Sequence, residues 1–225
     1  MIVGNGLIAN LFKNEDRENV VFFASGVSNS LETEKSAFTR EENLLRKTLE
    51  ENPEKIFIYF STCSIYDSSK NGSAYVNHKL KMERLVEDLC TQFLILRVSN
   101  AVGKGGNPNL LLNYLVNSIN EEKTINVHTL ATRNLIDGDD VKNITLQLLK
   151  TGKFNKIINV AYLENFSTTE ILEILEKHLN KKPKTAFFNS GQTYKISIPE
   201  VESYFLENHL SNKKEYLIKL LKRYF

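Results

Sequence analysis

The chain has 225 residues, 41% of them hydrophobic, with 29 lysine and arginine residues against 27 aspartate and glutamate residues. A chain of this length can bury one substantial core, so we expect one compact unit with a smaller appended lobe. The basic residues are scattered along the sequence and form no stripe that suits a phosphate backbone. We therefore predict no nucleic-acid partner.

Cysteine spacing and apolar runs bear on metals and on location. Only Cys63 and Cys90 occur, and neither has a second Cys or His at metal-ligand spacing, so no metal site is predicted. We find neither a signal segment nor an apolar run of about 18 residues. We expect a soluble, cytoplasmic protein with reduced thiols and no membrane partner.

Short apolar runs alternate with amphipathic segments along the chain. This is the pattern of βαβ units, and it predicts an α/β fold with a doubly wound parallel sheet that helices cover on both faces. The runs have the length and the β-branched or aromatic content of buried strands. Strands are therefore predicted at residues 1–3, 20–24, 56–60, 93–96 and 157–160.

Two helix starts are predicted from capping residues. Thr39 and Ser167 each precede a glutamate by three positions, which is the spacing of a capping box. We expect helices to begin at these two residues and to run to Leu49 and to about Leu179.

The Asn-Pro pair at 107–108 predicts a further helix start, because asparagine caps well and proline is tolerated at the first helical position. Further on, Pro183 and Pro199 interrupt the alternation of strands and helices, before a lysine-rich amphipathic end. The predicted division is a core of residues 1–162 and a small, mostly helical lobe of residues 163–225.

Two glycines lie between the first predicted strand and a predicted helix. Gly4 and Gly6 leave room for backbone N–H groups, including those of Leu7 and Ile8, to meet a diphosphate at the helix N-terminus. Ala9 stands where a dinucleotide fingerprint has its third small residue. Considered alone, the two glycines are explained equally well by a plain tight turn.

The strongest chemical pattern follows the strand predicted at 56–60. Residues 61–66 (Ser-Thr-Cys-Ser-Ile-Tyr) place hydroxyl groups at the strand end, and a helix predicted over residues 74–89 carries Tyr75 and Lys79. At positions i and i+4 these two lie on one helix face. A lysine ammonium beside a phenol favours the phenolate, which makes tyrosine a usable general acid or base. Without the neighbouring motifs, a half-buried aromatic and a solvated lysine would be the simpler interpretation.

In this order, the motifs resemble the extended short-chain dehydrogenase/reductase family, whose members include NDP-sugar epimerases, dehydratases and ketoreductases. The resemblance runs from residue 1 to about 180 and implies a Rossmann-like fold, NAD or NADP as cofactor, a nucleotide-sugar substrate and a homodimer. It is carried by residues 61–66, 75–79, 96–103 (Leu-Arg-Val-Ser-Asn-Ala-Val-Gly), 132–141 (Thr-Arg-Asn-Leu-Ile-Asp-Gly-Asp-Asp-Val), 159–161 and 166–168.

The resemblance also implies roles for single residues. Tyr75 transfers the hydroxyl proton, Lys79 lowers the pKa of that phenol and holds the nicotinamide ribose, and Thr62 orients the substrate oxygen. Asn100 and Arg133 match positions that contact the sugar-nucleotide phosphates; by themselves they suit a turn and a surface ion pair. The implied cofactor-binding residues are Gly4, Gly6, Leu7, Ile8, Ala24, Ser25, Gly26, Ser61 and Lys79.

The chain departs from the family pattern in two places. Too few residues separate Gly4 from the segment 20–26, which resembles the family's fourth strand, so the second and third strands are expected to be missing. The acidic residue that bonds the adenosine ribose would be missing with them. Cys63 and Ser64 stand where the 4,6-dehydratases carry an Asp-Glu pair, which disfavours dehydration.

Two functions remain open at this point. One is an NAD(P)-dependent 4-ketoreductase or 4-epimerase that acts on a nucleotide sugar, and retention of Tyr75, Lys79 and Thr62 favours it. The alternative is a non-catalytic or cofactor-impaired binding protein on the same fold, which the missing strands favour. His78 is expected to be structural, because no base partner is spaced to enlist it.

Overall fold

The structure, a computed structural model, describes residues 1–15, 17–105, 107–108 and 110–225. In this part of the chain the helices α1 to α8 are, in order, Leu7–Leu11, Lys35–Glu51, Ala74–Leu89, Leu111–Asn120, Gly138–Thr151, Thr168–Leu179, Glu202–Glu207 and Lys213–Tyr224. The strands β1 to β11 are Ile2–Val3, Val20–Phe23, Ile56–Thr62, Phe93–Val98, Asn100–Val102, Ile125–His128, Thr132–Arg133, Leu135–Asp137, Lys156–Val160, Phe166–Ser167 and Thr185–Phe188. Two short 3-10 helices, Cys63–Tyr66 and Ser68–Lys70, follow β3.

A five-stranded parallel sheet with the order β1-β2-β3-β4-β9 forms the centre of the protein. All five predicted strands are present, within two residues of the expected bounds. β1 pairs directly with β2, with Ile2 opposite Phe22. Both the predicted α/β fold and the predicted shortening of its first half are confirmed.

The sheet separates two hydrophobic cores, because successive side chains of a strand point to opposite faces. On β3, Ile58 and Phe60 belong to the larger core. Phe57 and Tyr59 belong to the smaller core, together with Leu45 of α2 and other side chains of α3 and β4. The sheet is therefore covered on both faces, and α2 and α3 pack side by side over the smaller core.

The C-terminal third of the chain packs on earlier elements. β11 pairs with β6 in parallel, and β10 pairs with β7 antiparallel. Tyr216 of α8 donates a hydrogen bond to the Asp140 carboxylate at 2.6 Å and accepts one from the Asp137 N–H at 2.8 Å. The division into a core and a lobe at residue 162 stays a prediction.

One predicted helix start is wrong by four residues. α2 begins at Lys35, so Thr39 lies inside the helix rather than at its N-cap. The reason is packing, because Ala37 and Phe38 lie against an apolar cluster and the Phe38 ring also contacts the His78 ring, with 4.7 Å between the ring centroids. Extending the helix by one turn partly buries these side chains.

The start predicted at residues 107–108 is also displaced, because the Asn107 carbonyl accepts from Leu110 in a turn and α4 begins only at Leu111. The start at Ser167 is confirmed. Its hydroxyl accepts from the Glu170 N–H at 3.1 Å, and the Glu170 carboxylate accepts from the Ser167 N–H at 2.7 Å, which is a complete capping box. Across the described residues, no helix has the length and apolar content needed to cross a membrane.

Candidate active site

The first glycine turn packs directly on the turn that follows β2. Gly4 has a φ of 125°, and a Cβ there would lie 2.4 Å from the Ala24 carbonyl oxygen and 3.0 Å from the Ser25 nitrogen. A Cβ on Gly26 would lie 2.5 Å from Lys79 Nζ. The structure therefore brings these predicted site residues together at the carboxyl ends of β1 and β2.

Gly6 faces open space at the start of α1. A Cβ on Gly6 would meet no atom within 4 Å, and no side chain caps the helix. The Leu7 side chain instead packs inward, since a Cβ on Gly103 would lie 3.2 Å from Leu7 Cδ1. Gly6 and the backbone N–H groups of Leu7 and Ile8 are therefore accessible to a ligand, whereas the Leu7 side chain serves packing.

The Lys79 side chain is buried, with 3% of the residue exposed. Its ammonium donates to Glu41 Oε1 at 3.0 Å, to the Tyr59 hydroxyl at 2.9 Å and to the Phe60 carbonyl at 3.3 Å. An ammonium has three N–H donors, so these contacts use all of them. Contact between Lys79 and a nicotinamide ribose stays a prediction, and it requires one of these bonds to be exchanged.

The central partner of this lysine is Glu41, which is fully buried at 0% exposure. Oε1 accepts from Tyr59 at 2.7 Å and from Lys79, and Oε2 accepts from the Val27 N–H at 2.7 Å and from His78 Nε2 at 3.0 Å. Burial raises the pKa of Glu41, but the Lys79 ammonium and the three other donors outweigh it and lower the pKa to about 2. The carboxylate is thus ionised and fully bonded.

Glu41 was not among the residues predicted from the sequence, although the helical period of α2 contains a signal for it. The buried positions of α2 are Glu41, Leu45, Thr48 and Leu49, so a glutamate occupies the apolar stripe. Its neighbour Glu42 is partly exposed, as expected of a charged residue. A charged side chain at a core position indicates a buried partner, but the sequence does not say which one.

Tyr75 lies in the first turn of α3, which begins at Ala74 as predicted. Ser73 is the N-cap, and its hydroxyl accepts from the Val76 N–H at 3.3 Å. The Tyr75 ring is buried in a cluster with Val27 and Val76. Within the part of the chain that the structure describes, its hydroxyl has no hydrogen-bond partner. This phenol is therefore available to a ligand.

Ser61 and Thr62 point to opposite sides of β3 and differ in what they bind. The Thr62 hydroxyl accepts from the Ser64 N–H at 3.0 Å, so its own O–H remains as a donor. The Ser61 hydroxyl donates to Glu83 Oε1 at 2.5 Å, and the Glu83 carboxylate is paired with Arg97 at 2.6 Å. Thr62 can donate to a substrate, whereas the Ser61 hydroxyl is engaged beneath α3 and its contact with a cofactor stays a prediction.

The two predicted phosphate contacts have different surroundings. Asn100 donates from Nδ2 to the Asn134 carbonyl at 2.7 Å, where β5 pairs with β8. Arg133 donates to the Thr132 carbonyl at 2.8 Å and lies 3.8 Å from Asp67 Oδ2. Asp67 follows the 3-10 helix at the end of β3, so Arg133 lies at the same end of the sheet as Tyr75. Asn100 is mainly engaged in strand pairing.

Comparisons with known proteins agree with this architecture. Residues 5–161 match the family described as NAD dependent epimerase/dehydratase. No curated protein matches the chain. Among solved structures, UDP-glucuronic acid 4-epimerase from Bacillus cereus, in complex with UDP-glucuronic acid and NAD, is 21% identical with a TM-score of 0.68, over 96% of this chain and 79% of that one.

Two further solved structures share the fold. dTDP-glucose 4,6-dehydratase from Bacillus anthracis, in complex with NAD, is 17% identical with a TM-score of 0.68, over 96% of this chain and 75% of that one. A UDP-galactose 4-epimerase is 15% identical with a TM-score of 0.69, over 97% of this chain and 81% of that one. With the match of residues 5–161, the chain belongs to the NAD dependent epimerase/dehydratase family.

Proposed function

We propose that the protein is an NAD(P)-dependent enzyme that acts on a nucleotide sugar by 4-epimerase or 4-ketoreductase chemistry. The observation that carries this proposal is the Tyr75 hydroxyl, which has no hydrogen-bond partner in the described part of the chain. A phenol in that state can exchange a proton with a substrate hydroxyl. The complex of UDP-glucuronic acid 4-epimerase with its sugar nucleotide and NAD supports the choice of substrate class.

The turns after β1 and β2 fit a dinucleotide. Gly6 borders open space, and the first N–H groups of α1 have no side-chain cap, so they can bind a diphosphate. Gly4 lies against Ala24 and Ser25, and Gly26 of the same turn lies against Lys79, so this surface continues to the lysine. When bound there, NAD(P) supplies the group that exchanges a hydride with the sugar carbon.

The protein's own groups have separate tasks in this proposal. Tyr75 gives and takes the proton of the sugar hydroxyl, and Thr62 donates its free O–H to the same oxygen. Arg133 presents its remaining N–H groups to the diphosphate, since a guanidinium fork suits phosphate oxygens. Asn100 is the second candidate contact for that diphosphate, through the second N–H of its Nδ2, since the first one donates to the Asn134 carbonyl.

The proposal is tested by incubating the purified protein with each nicotinamide and with UDP-glucuronic acid or UDP-glucose. Proton NMR of the sugar would reveal inversion at C4, and absorbance of the reduced nicotinamide would reveal net reduction or oxidation. We expect one of these changes with the unaltered chain and with Tyr114→Phe, a change at a tyrosine that is 46% exposed. Loss of the product in Tyr75→Phe alone would support the proposal, and no product under any condition would contradict it.

A second candidate is a binding protein that has lost catalysis. Lys79 has no free N–H and lies against Gly26, and β1 pairs directly with β2 where the family has further strands. Calorimetry separates the two candidates. Binding of a nucleotide sugar with no nicotinamide binding and no turnover would favour the second one.

A further inference from the structure

The loop between β3 and α3 joins the two groups that are proposed to contact the sugar hydroxyl. It runs through both 3-10 helices, from Thr62, whose hydroxyl caps the first of them, to Ser73, which caps α3 just before Tyr75. Lys70 ends the second 3-10 helix, and its carbonyl accepts from the Ser73 N–H at 3.0 Å. It is the only lysine or arginine among residues 63–73. The short loop that places Thr62 and Tyr75 therefore also places this lysine.

The Lys70 ammonium extends to the segment that follows β2. Its Nζ donates to the Ser30 hydroxyl at 2.5 Å. Val27, three positions before Ser30, packs with Tyr75 in one apolar cluster. Lys70 thus links two segments that both adjoin Tyr75. An ammonium has three N–H donors, so two of those on Lys70 have no acceptor within the described residues.

Asp67 is the acidic group between Lys70 and Arg133. The residue is 3% exposed, and its Oδ1 accepts from the Ser69 N–H at 3.0 Å and from the Ser69 hydroxyl at 2.5 Å. Arg133 lies 3.8 Å from Oδ2, which is beyond hydrogen-bond distance. Burial lowers the pKa of Lys70, Asp67 raises it and Arg133 lowers it, so the three groups act on one another. Two cations therefore share one carboxylate, and one positive charge is left over.

The other lysine of the candidate site does not add to this excess. The Lys79 ammonium lies 3.0 Å from Glu41 Oε1, so its charge is matched locally. The diphosphate is the proposed ligand of Arg133. Lys70 belongs instead to the loop that carries the groups for the sugar hydroxyl. The unmatched positive charge is thus expected on the sugar side of the ligand.

We propose that Lys70 determines specificity for a nucleotide sugar whose sugar carries a carboxylate, and that its two unused N–H groups bind this carboxylate. The inference rests on the proposed function, because it names the substrate class of the same site. A hydrogen bond between an ammonium and a carboxylate is charge-assisted and is stronger than one to a neutral hydroxyl. A neutral sugar would leave the excess charge unmatched, so it should bind more weakly.

The test is calorimetry with UDP-glucuronic acid and UDP-glucose, which differ in a carboxylate against a hydroxymethyl group. We expect the unaltered chain to bind UDP-glucuronic acid about 10-fold or more tightly than UDP-glucose. Lys70→Met should abolish this preference and leave the affinity for UDP-glucose in place. An equal loss of affinity for both ligands would assign Lys70 to the diphosphate and overturn the inference.

Two further variants serve as controls. Lys47 lies on α2 with a side chain that is 70% exposed, so Lys47→Met removes the same charge away from the site and should keep the preference. Lys70→Arg retains the charge and should retain most of the preference, and its complete loss there would contradict recognition by charge. Circular dichroism checks the fold of each variant, and Lys70→Gln replaces Lys70→Met if the latter does not fold.

The calorimetry uses no nicotinamide and measures no turnover, so it separates this inference from the proposed function. Equal affinity of the unaltered chain for both ligands would overturn the inference and leave the proposed function standing. If neither ligand binds, the proposed function fails together with the inference.

Discussion

The backbone of Gly26 lies directly on the Lys79 ammonium, since a Cβ at Gly26 would come within 2.5 Å of Lys79 Nζ. The same Cβ would lie 3.0 Å from Glu41 Oε1. The turn after β2 therefore closes over the ion pair, and a side chain at position 26 would require the Lys79 ammonium to shift. A ligand that contacts Lys79 has to replace one of the three hydrogen bonds of its ammonium, whereas the Tyr75 hydroxyl has no partner to give up within the described residues.

Replacing the proton-transfer group should abolish most turnover and leave the fold intact. We expect Tyr75→Phe to lower kcat by a factor of about 100 or more, because it removes the proton and little packing. Steady-state kinetics with the nucleotide sugar measures the loss, and thermal unfolding checks the fold. Turnover equal to that of the unaltered chain would refute the catalytic assignment of Tyr75.

The two glycines of the first turn should respond differently to alanine. Gly4→Ala forces a Cβ to within 2.4 Å of the Ala24 carbonyl at a φ of 125°, so we expect a large loss of stability. Gly6 has a φ of −78°, and a Cβ there would meet no atom within 4 Å, so the Gly6→Ala variant should fold normally. If a diphosphate lies against Gly6, that variant should bind NAD more weakly, as calorimetry would show. Unchanged affinity for NAD would indicate that the cofactor does not bind at this turn.

Stability should fall at low pH through Glu41. Its pKa is lowered from 4.5 to about 2, so its contribution is present above pH 4.5 and is lost as the pH falls through 2. A shift of this size corresponds to about 3 kcal/mol of unfolding free energy. Urea unfolding between neutral pH and pH 2 measures this loss. The double variant Lys79→Met/Glu41→Gln is the control and should lose less stability over the same interval.

Nicotinamide binding should be weaker than in full-length relatives and should discriminate poorly between NAD and NADP. The strand that would carry the acidic ribose partner is missing, because β1 pairs directly with β2. Losing a few hydrogen bonds of about 1 kcal/mol each lowers affinity by about one to two orders of magnitude. Calorimetry with both nicotinamides decides this. Submicromolar binding of one and none of the other would mean that adenosine recognition was rebuilt elsewhere.

We also expect a homodimer, formed through the exposed sides of α2 and α3. The two helices already lie side by side over the smaller core, so a second copy could extend the layer into a four-helix arrangement. Sedimentation velocity at micromolar concentration would reveal the dimer. A monomer under those conditions would contradict the expectation.

The strands of the central sheet were predictable because each is a short, unbroken run of apolar residues. Such a run is typical of a strand that is buried on both faces. The start of α2 was not predictable in the same way, because Thr39 and Glu42 have the spacing of a capping box inside the helix. Only the packing of Phe38 shows that the helix begins earlier. Local patterns compete, and tertiary packing decides between them. The helix that begins at Ala74 was predictable because a capping residue, Ser73, precedes it and apolar residues recur along it at helical spacing.

At the candidate site, the spacing of Tyr75 and Lys79 predicted that they share a helix face. It did not predict the state of the lysine, because Glu41 lies 38 positions away and Tyr59 lies 20 positions away. Long-range partners of a buried charge depend on how α2, α3 and β3 come together. Sequence patterns within one element therefore identified the groups, and the structure added the contacts that control them.

The two-residue strand β1 has a consequence for how the chain avoids misassembly. Within the described residues β1 pairs only with β2, so one side of it forms the margin of the sheet. A long exposed edge strand can pair with strands of other chains and cause aggregation, whereas an edge strand of two residues offers little backbone for such pairing. A protein whose sheet ends in so short an edge strand can thus remain monodisperse without further strands to cover that edge.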